Sequence, residues 1–302
     1  MTIIKNVVLA GASGSLGTVV LDALIAADKF NVTVLTRQDS DATFPPTVQV
    51  VKVDYNSVEQ LTAALQGKDA VIATVTTAAT DIQVALIQAA VAAGVHRYIP
   101  AEFSSNMGNP KSAALPVYQP LLKILEQLQE AAAANPEFSY TSIRNGMFLD
   151  WGLARGMPLN LRSESPPFFD GGNRPFSTTT LATIANAVVA VLGRLDETRN
   201  RPVYVHDVVT TQQHLLGLAR KLAPERHWEP VQLRTEDLER VSREKYAQGQ
   251  VDLEASIGFF SRALFAEGYG GEFPQVDNEL LGLGFKTDAD LEIILKQVLS
   301  TL

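Results

Sequence analysis

The 302-residue sequence contains no cysteine. Disulfides, thiolate nucleophiles, iron-sulfur clusters and cysteine zinc sites are excluded together, and a cytosolic setting agrees with that absence. Nowhere do eighteen or so apolar residues run together, as a membrane span requires. The amino-terminal run from Met1 to Ala10 continues into a glycine turn instead of a small-residue cleavage site, so it does not read as a signal peptide. Positive charge is in the minority, with 25 Lys plus Arg against 33 Asp plus Glu and a formal net charge of -8. That balance argues against a nucleic-acid surface, which works by neutralising phosphates, yet leaves room for a local basic pocket holding one phosphate. His96, His206, His214 and His227 lack i, i+4 spacing and fall in different segments, so no metal site is expected. The expectation is a cytoplasmic protein whose partners include neither nucleic acid nor membrane.

What is present is an ordinary globular composition, 46% hydrophobic and 19% charged, enough for one large domain or one large and one small. Val7 to Ala10 reads as a buried strand, Val32 to Thr36 as a second and Val48 to Val53 as a third. Ser57 followed by Gln60 has the spacing of a capping box, opening a helix to Gln66. Ala70 to Ala73 is a fourth strand, and Asp81 caps a helix that stops at Gly94. Arg97 to Pro100 is a fifth strand, Pro120 opens a helix to about Ala134, and Phe138 to Ile143 is a sixth strand. Near-continuous apolar strands alternating with helices predict a doubly wound parallel α/β sheet of the Rossmann type. Residues 1–150 form the expected NADP-binding domain, with 175–210 packing back onto it. Residues 151–302 form a smaller substrate-binding portion over the carboxyl edge of the sheet, where ligands bind in such folds. In it, Gln212 to Leu222, Thr235 to Gln248 and Asp288 to Leu299 read as helices.

Gly11, Ser13, Gly14, Ser15, Leu16 and Gly17 follow the first strand directly and open the first helix. Glycine is needed there for a tight turn, for close approach of backbone amides to a pyrophosphate, and for close helix-strand packing. The spacing is Gly-x-x-Gly-x-x-Gly, and its place after a strand and before a helix points to a dinucleotide. NAD proteins usually end the second strand on an acid; here it ends Leu35-Thr36-Arg37, with Asp39 two residues late. Arg37 suits a 2′-phosphate, because a guanidinium pairs bidentately with phosphate, so NADP is the expected cofactor. Asp54 is either an acceptor for the adenine amino group or a helix-entry acid, and Thr74 and Thr76 face the expected cofactor path.

The glycine turn, Thr36-Arg37, the run Gly94 to Phe103 with its Pro-Ala-Glu-Phe, the run Asn145 to Leu153 with its Asn-Gly-Met-Phe, and the run Asp170 to Ser177 together resemble the NmrA-like or isoflavone reductase-like group of atypical short-chain dehydrogenases, particularly its fungal branch. The resemblance covers most of the chain and is least distinctive past Thr235. It implies a Rossmann-type NADPH domain and a reductase of enone, benzylic ether or related aromatic substrates, using a lysine from the helix before the sixth strand. Other members of the group bind the dinucleotide as redox-sensing regulators acting through a protein partner, and that role stays open. A nucleotide-sugar epimerase or dehydratase on the same fold is a further alternative, weakened because Tyr118 and Lys123 are five apart with Pro120 between them, not in a Tyr-x-x-x-Lys frame.

Lys123 lies on the right helix, but the register implied by the resemblance falls nearer Leu121. Two positions along a helix rotate a side chain to nearly the opposite face. Lys123 is either a buried proton donor beside the nicotinamide ribose, its pKa lowered by burial, or a solvated partner of Glu126. Glu102 and Phe103 follow the fifth strand on the cofactor side. Tyr118, Asn145 and Phe148 are the substrate-side candidates, with Trp151 as a further pocket wall, and Phe259-Phe260 with Phe265 to Tyr269 form glycine-flanked segments that close the pocket.

Overall fold

The computed structural model describes residues 3–76 and 80–302, so Met1 and Thr2 of the amino-terminal run lie outside the described residues. In chain order the elements are β1 (Asn6–Ala10), α1 (Ser15–Ala26), β2 (Asn31–Arg37), β3 (Gln49–Val53), α2 (Val58–Leu65), β4 (Ala70–Ala73), α3 (Thr80–Ala92), β5 (Arg97–Ile99), α4 (Pro110–Ala113), α5 (Gln119–Ala134) and β6 (Ser139–Arg144). There follow β7 (Met147–Phe148), α6 (Leu149–Leu153), β8 (Pro167–Phe169), β9 (Phe176–Thr179), α7 (Leu181–Val191) and β10 (Arg201–Tyr204). The chain ends with β11 (Val208–Thr210), α8 (Gln212–Leu222), β12 (Val231–Leu233), α9 (Thr235–Ala247), α10 (Leu253–Phe265) and α11 (Asp288–Leu299).

The main sheet has seven strands in the order β10-β6-β5-β4-β1-β2-β3, and the ladders from β3 through β6 are parallel. This is the doubly wound α/β arrangement expected from the apolar strands: every residue of β4 and β6 is buried, as is all of β1 past Asn6. The order of strands reverses between β1 and β4, which opens a crevice at their carboxyl ends.

The chain divides into two compact units. One comprises residues 1–103, 120–143 and 184–203; the other comprises 104–119, 144–183 and 204–302. The first has a core of β-strand and helix residues including Val8, Leu35, Leu61, Val71, Leu86, Tyr98, Ile124 and Phe138. Arg97 is fully buried in this unit and donates to the Thr141 and Thr198 hydroxyls and the Leu195 carbonyl, tying the segment after α7 to β5 and β6. Burial lowers its pKa to about 10, the Arg199 charge adding to the fall and the Asp196 carboxylate opposing it, while the hydrogen bonds offset the cost of burying the cation. The second unit has its own core, with Leu149, Phe169, Phe176, Leu215, Trp228, Phe265 and Leu295.

Local deviations from expectation have identifiable causes. Ser57 caps α2 by accepting from the Gln60 amide at 3.2 Å, but the Gln60 side chain accepts from the Asp54 amide at 3.1 Å, so the box is only half closed. Asp81 sits in the first turn of α3 and does not precede it. The segment expected to close a pocket is corrected: Phe259, Phe260 and Phe265 belong to α10, where Phe259 and Phe265 are buried and Phe265 stacks on Phe169 at 5.0 Å.

Candidate cofactor-binding site

Beyond Ala10 the backbone turns through Gly11 at φ +89°, a left-handed conformation, where a Cβ would stand 2.8 Å from the carbonyl of Thr74. At Gly17 a Cβ would lie 2.0 Å from the Gly11 carbonyl oxygen, so α1 packs against the turn more closely than any side chain permits. Gly14 is different. Its φ is -77°, and a Cβ there would meet nothing closer than 3.4 Å. Gly14 is also the N-cap of α1, whose first turn carries neither a side-chain cap nor an acidic residue. The leading amides of α1 and the positive end of its dipole thus stand beside an open surface formed by exposed Ser13, Gly14 and Ser15. Leu16 and Gly17 are buried, and Leu16 offers only its backbone.

These residues border a cleft of about 310 Å³ at the strand-order reversal. Gly11 to Gly14 form one wall, Leu35, Thr36 and Arg37 from the end of β2 form the second, and Thr74 to Thr76 from the end of β4 form the third. Ser40, Phe44, Tyr55 and Ile82 complete it. The Thr36 hydroxyl is buried and has no hydrogen-bond partner among the described residues, an uncommon condition that a bound polar group would relieve. Tyr55 donates its hydroxyl to the Leu35 carbonyl at 2.9 Å, and burial pushes its pKa well above the ordinary phenol value, so it stays a donor. Arg37 is 72% exposed and has Asp39 3.7 Å from its guanidinium, a weak surface pair.

The expected cofactor residues Gly11, Ser13, Gly14, Arg37 and Thr76 line this one cleft, and Ser15, Leu16 and Gly17 adjoin it as the first turn of α1. Thr74 lines it too, but its hydroxyl is used on the Ala10 carbonyl at 3.0 Å. Asp54 accepts from the Asn56 amide at 2.9 Å in the loop before α2, whose N-cap is Ser57, and it is not part of the cleft wall. Glu102 is buried past β5, and Phe103 is held at φ +30°, a left-handed conformation unusual for a bulky residue; neither lines the cleft. Thr36, Ser40, Phe44 and Tyr55 escaped the sequence reading as site residues. The loop bearing Ser40 and Phe44 has no hydrophobic period, and Tyr55 reads as core.

The chemical side of the expectation fares differently. Leu121, Ile124 and Leu128 form the buried face of α5, and Lys123 is exposed. The expectation of a lysine tuned by burial is therefore corrected, because the three-and-four spacing of the apolar residues turns Lys123 outward. Tyr118 closes a short 3-10 turn, Pro116–Tyr118, and is 2% exposed, packed edge-on to Phe260 at 6.2 Å; burial pushes its pKa up to about 12. It is a packed aromatic in its own unit. Asn145 is fully buried, donating to the Gly146 carbonyl at 3.1 Å while its Oδ1 has no partner among the described residues. Half-buried Phe148 meets Trp151 edge-on at 6.1 Å, and the Arg155 guanidinium covers the Trp151 ring at 4.1 Å.

A larger cavity, about 420 Å³, lies at the amino edge of the same sheet, lined among others by Lys29, Phe30, His96, Glu137, Arg194 and Arg199. α1 and α7 point their carbonyl ends toward it, the wrong polarity for a pyrophosphate, and its glycine, Gly193, lies after α7 and does not open a helix. On chemical grounds the smaller cleft is the candidate nucleotide site. Among the described residues no cluster of three or more His, Asp or Glu could hold a metal ion, and no helix is long and apolar enough to cross a membrane.

The model of the NmrA-like family matches residues 4–206, more than half of the chain. The chain belongs to the NmrA-like family. Oxidoreductase poxI of Penicillium oxalicum is 38% identical over 228 residues, covering 74% of this chain and 71% of that protein. Oxidoreductase aprR of Aspergillus flavus is 32% identical over 285 residues, covering 92% of this chain and 94% of that protein. Among solved structures, AtPrR2 with NADP+ and (+)pinoresinol superposes with a TM-score of 0.79 at 20% identity, covering 97% of this chain and 100% of that one, a likeness of fold. The family match takes in the glycine turn, Arg37, α5 and Asn145 to Phe148, and it ends at His206, before the helices α8 to α11.

Proposed function

We propose that this NmrA-like protein is an NADPH-dependent reductase of a small aromatic, enone or benzylic ether substrate. The observation that carries the reading is the convergence on one cleft of three groups open to a ligand: the uncapped first turn of α1, the Thr36 hydroxyl, without a partner among the described residues, and the Arg37 guanidinium in its weak surface pair with Asp39. Each fits a different part of a phosphorylated dinucleotide. The α1 amides would hold the pyrophosphate, Thr36 would find its hydrogen-bond partner in the adenosine half, and Arg37 would exchange its weak pair with Asp39 for the 2′-phosphate. NADPH supplies a hydride when bound. Two relatives named as oxidoreductases, and a fold neighbour solved with NADP+ and a small molecule, support the same reading.

Hydride reduction of such substrates also consumes a proton. Lys123 is the one lysine of α5, and its exposure gives it direct exchange with solvent, so it is the candidate donor to test. That same exposure is the observation favouring a second reading, an NADP-sensing regulator that binds the dinucleotide without turnover and acts through a protein partner.

The binding test is calorimetric titration with NADPH and NADH. Arg37→Asp is expected to weaken NADPH about 30-fold, the ~2 kcal/mol of a hydrogen bond to a charged group, and NADH no more than about threefold. Equal losses would remove Arg37 from the phosphate site. For turnover, Lys123→Ala should lower kcat at least about tenfold at unchanged NADPH affinity, the mark of a group acting on the chemical step. Unaltered turnover takes Lys123 out of the mechanism, and tight NADPH binding without oxidation across a panel of aromatic enones and benzylic ethers establishes the sensor.

A further inference from the structure

We propose that Lys52 is the positioning residue of the phosphate end of the cofactor cleft: by gripping the carbonyls of the turn after β2, it aims Arg37 and Ser40 at the 2′-phosphate and so sets the preference for the phosphorylated cofactor. The proposal rests on the cofactor reading above. It begins with the register of the sheet, which places Lys52 of β3 opposite Thr36, the residue before Arg37. From there its ammonium donates to the Ser40 carbonyl at 2.8 Å and to the Gln38 carbonyl at 3.3 Å.

The turn so gripped is made by the Ser40 amide donating to the Arg37 carbonyl at 3.1 Å. Carbonyl oxygens repel an anion, and those of Gln38 and Ser40 are committed to a cation on β3. The Ser40 hydroxyl oxygen accepts from the Ala42 amide at 3.3 Å, which leaves its own proton to donate, and Ser40 lines the cleft beside Arg37. One strand residue thus fixes a donor hydroxyl and a guanidinium together. Two further features show how much depends on the grip. Gln38 also donates from its side chain to Gln60 at a long 3.4 Å, and Asp39, 79% exposed, competes for Arg37 from within the same turn. Released from Lys52, the turn gains conformational freedom that phosphate binding would have to remove, and Arg37 is left to Asp39.

The experiment measures dissociation constants for NADPH and NADH by calorimetry on the full chain, with thermal melting of each variant. Lys52→Met is expected to lose about tenfold in NADPH affinity, the effect of one to two ordinary hydrogen bonds, with NADH changed less than about twofold and the melting temperature kept. Lys52→Arg, which also presents donors to two carbonyls, should restore most of the loss, and Ser40→Ala should reproduce part of it. A Lys52→Met variant that keeps the wild-type NADPH to NADH ratio, or that weakens both cofactors equally, overturns the proposal while leaving the reductase reading standing. A wild-type protein that binds NADPH no more tightly than NADH overturns the phosphate assignment of Arg37 and this proposal with it.

Discussion

Gly14 and Gly17 stand three residues apart in one turn and answer to different neighbours. A Cβ at Gly17 would overlap the Gly11 carbonyl oxygen at 2.0 Å, backbone against backbone, with no flexible atom to give way. Gly17→Ala should therefore cost about 3 kcal/mol or more of folding stability, the upper range of overpacking, visible as a large drop in melting temperature. At Gly14 the protein itself leaves room, and φ -77° suits any residue. Gly14→Val should melt within a few degrees of wild type yet lose most dinucleotide affinity, because the added methyls occupy the open face of α1. A Gly14→Val protein that still binds NADPH normally would move the pyrophosphate elsewhere. The sequence shows three glycines at equal spacing, and chemistry assigns them collectively to a nucleotide turn; which one serves the fold and which the ligand depends on atoms more than 50 residues away, such as the Thr74 carbonyl beside Gly11.

At the scale of elements, periodicity carried furthest where one face or both is buried by regular packing. The limits of β4, α8 and α11 agree with the apolar pattern, and the buried face of α5 is the i, i+3, i+7 set Leu121, Ile124 and Leu128. Phe259 and Phe265 misled because they are flanked by Gly258 and Gly268, yet Gly258 lies inside α10, where a Cβ would collide with the Leu238 carbonyl of α9 at 2.0 Å. That glycine marks close helix packing instead of a hinge. The connection between β10 and β11 was similarly opaque, since only the fold brings His206 to Ser177 of β9. The Ser177 hydroxyl accepts from the Phe273 amide at 3.0 Å and lies at hydrogen-bond distance, 2.9 Å, from His206 Nδ1. Burial lowers the His206 pKa below its ordinary 6.5, an effect that adjacent Asp207 opposes only partly. A depressed histidine pKa means the unfolded chain takes up the proton first. The contribution is thus fully present above about pH 6.5 and is lost as pH falls from there toward the folded-state pKa. The melting temperature of the wild type should drop between about pH 7 and pH 5.5 by a few degrees more than that of His206→Gln; parallel curves would show that His206 carries none of the acid sensitivity.

The whole molecule carries a formal charge of -8, so on the proposed reading a phosphorylated dinucleotide would bind against the mean field through a few placed groups: the α1 amides, Thr36, Arg37 and the turn held by Lys52. Sequence pattern groups residues 175–210 with residues 1–150; the first compact unit joins residues 120–143 and 184–203 to residues 1–103 and leaves 104–119 to the second unit. The tie between 184–203 and the sheet includes polar contacts such as Arg97 with Thr198, distant in sequence, which no hydrophobic period marks. Every residue of the proposed cofactor cleft belongs to the first unit, and so does every residue of the larger cavity at the amino edge of the sheet. Hydrogen exchange therefore tells the two apart within one unit. At NADPH a hundredfold above its dissociation constant, binding adds about 2.7 kcal/mol to the folded state. Protection should rise most in the amides from Ala12 to Val20, in Gln38 to Ala42 and in Val75, and rise no more around Lys29, Phe30 and Arg194 to Arg199 than in α9 and α10 of the second unit. Protection centred on the 194–199 segment would place the dinucleotide at the amino edge and overturn the site; protection at Gln38 to Ala42 that disappears in Lys52→Met while the Ala12 to Val20 amides keep theirs would locate the loss at the phosphate end alone.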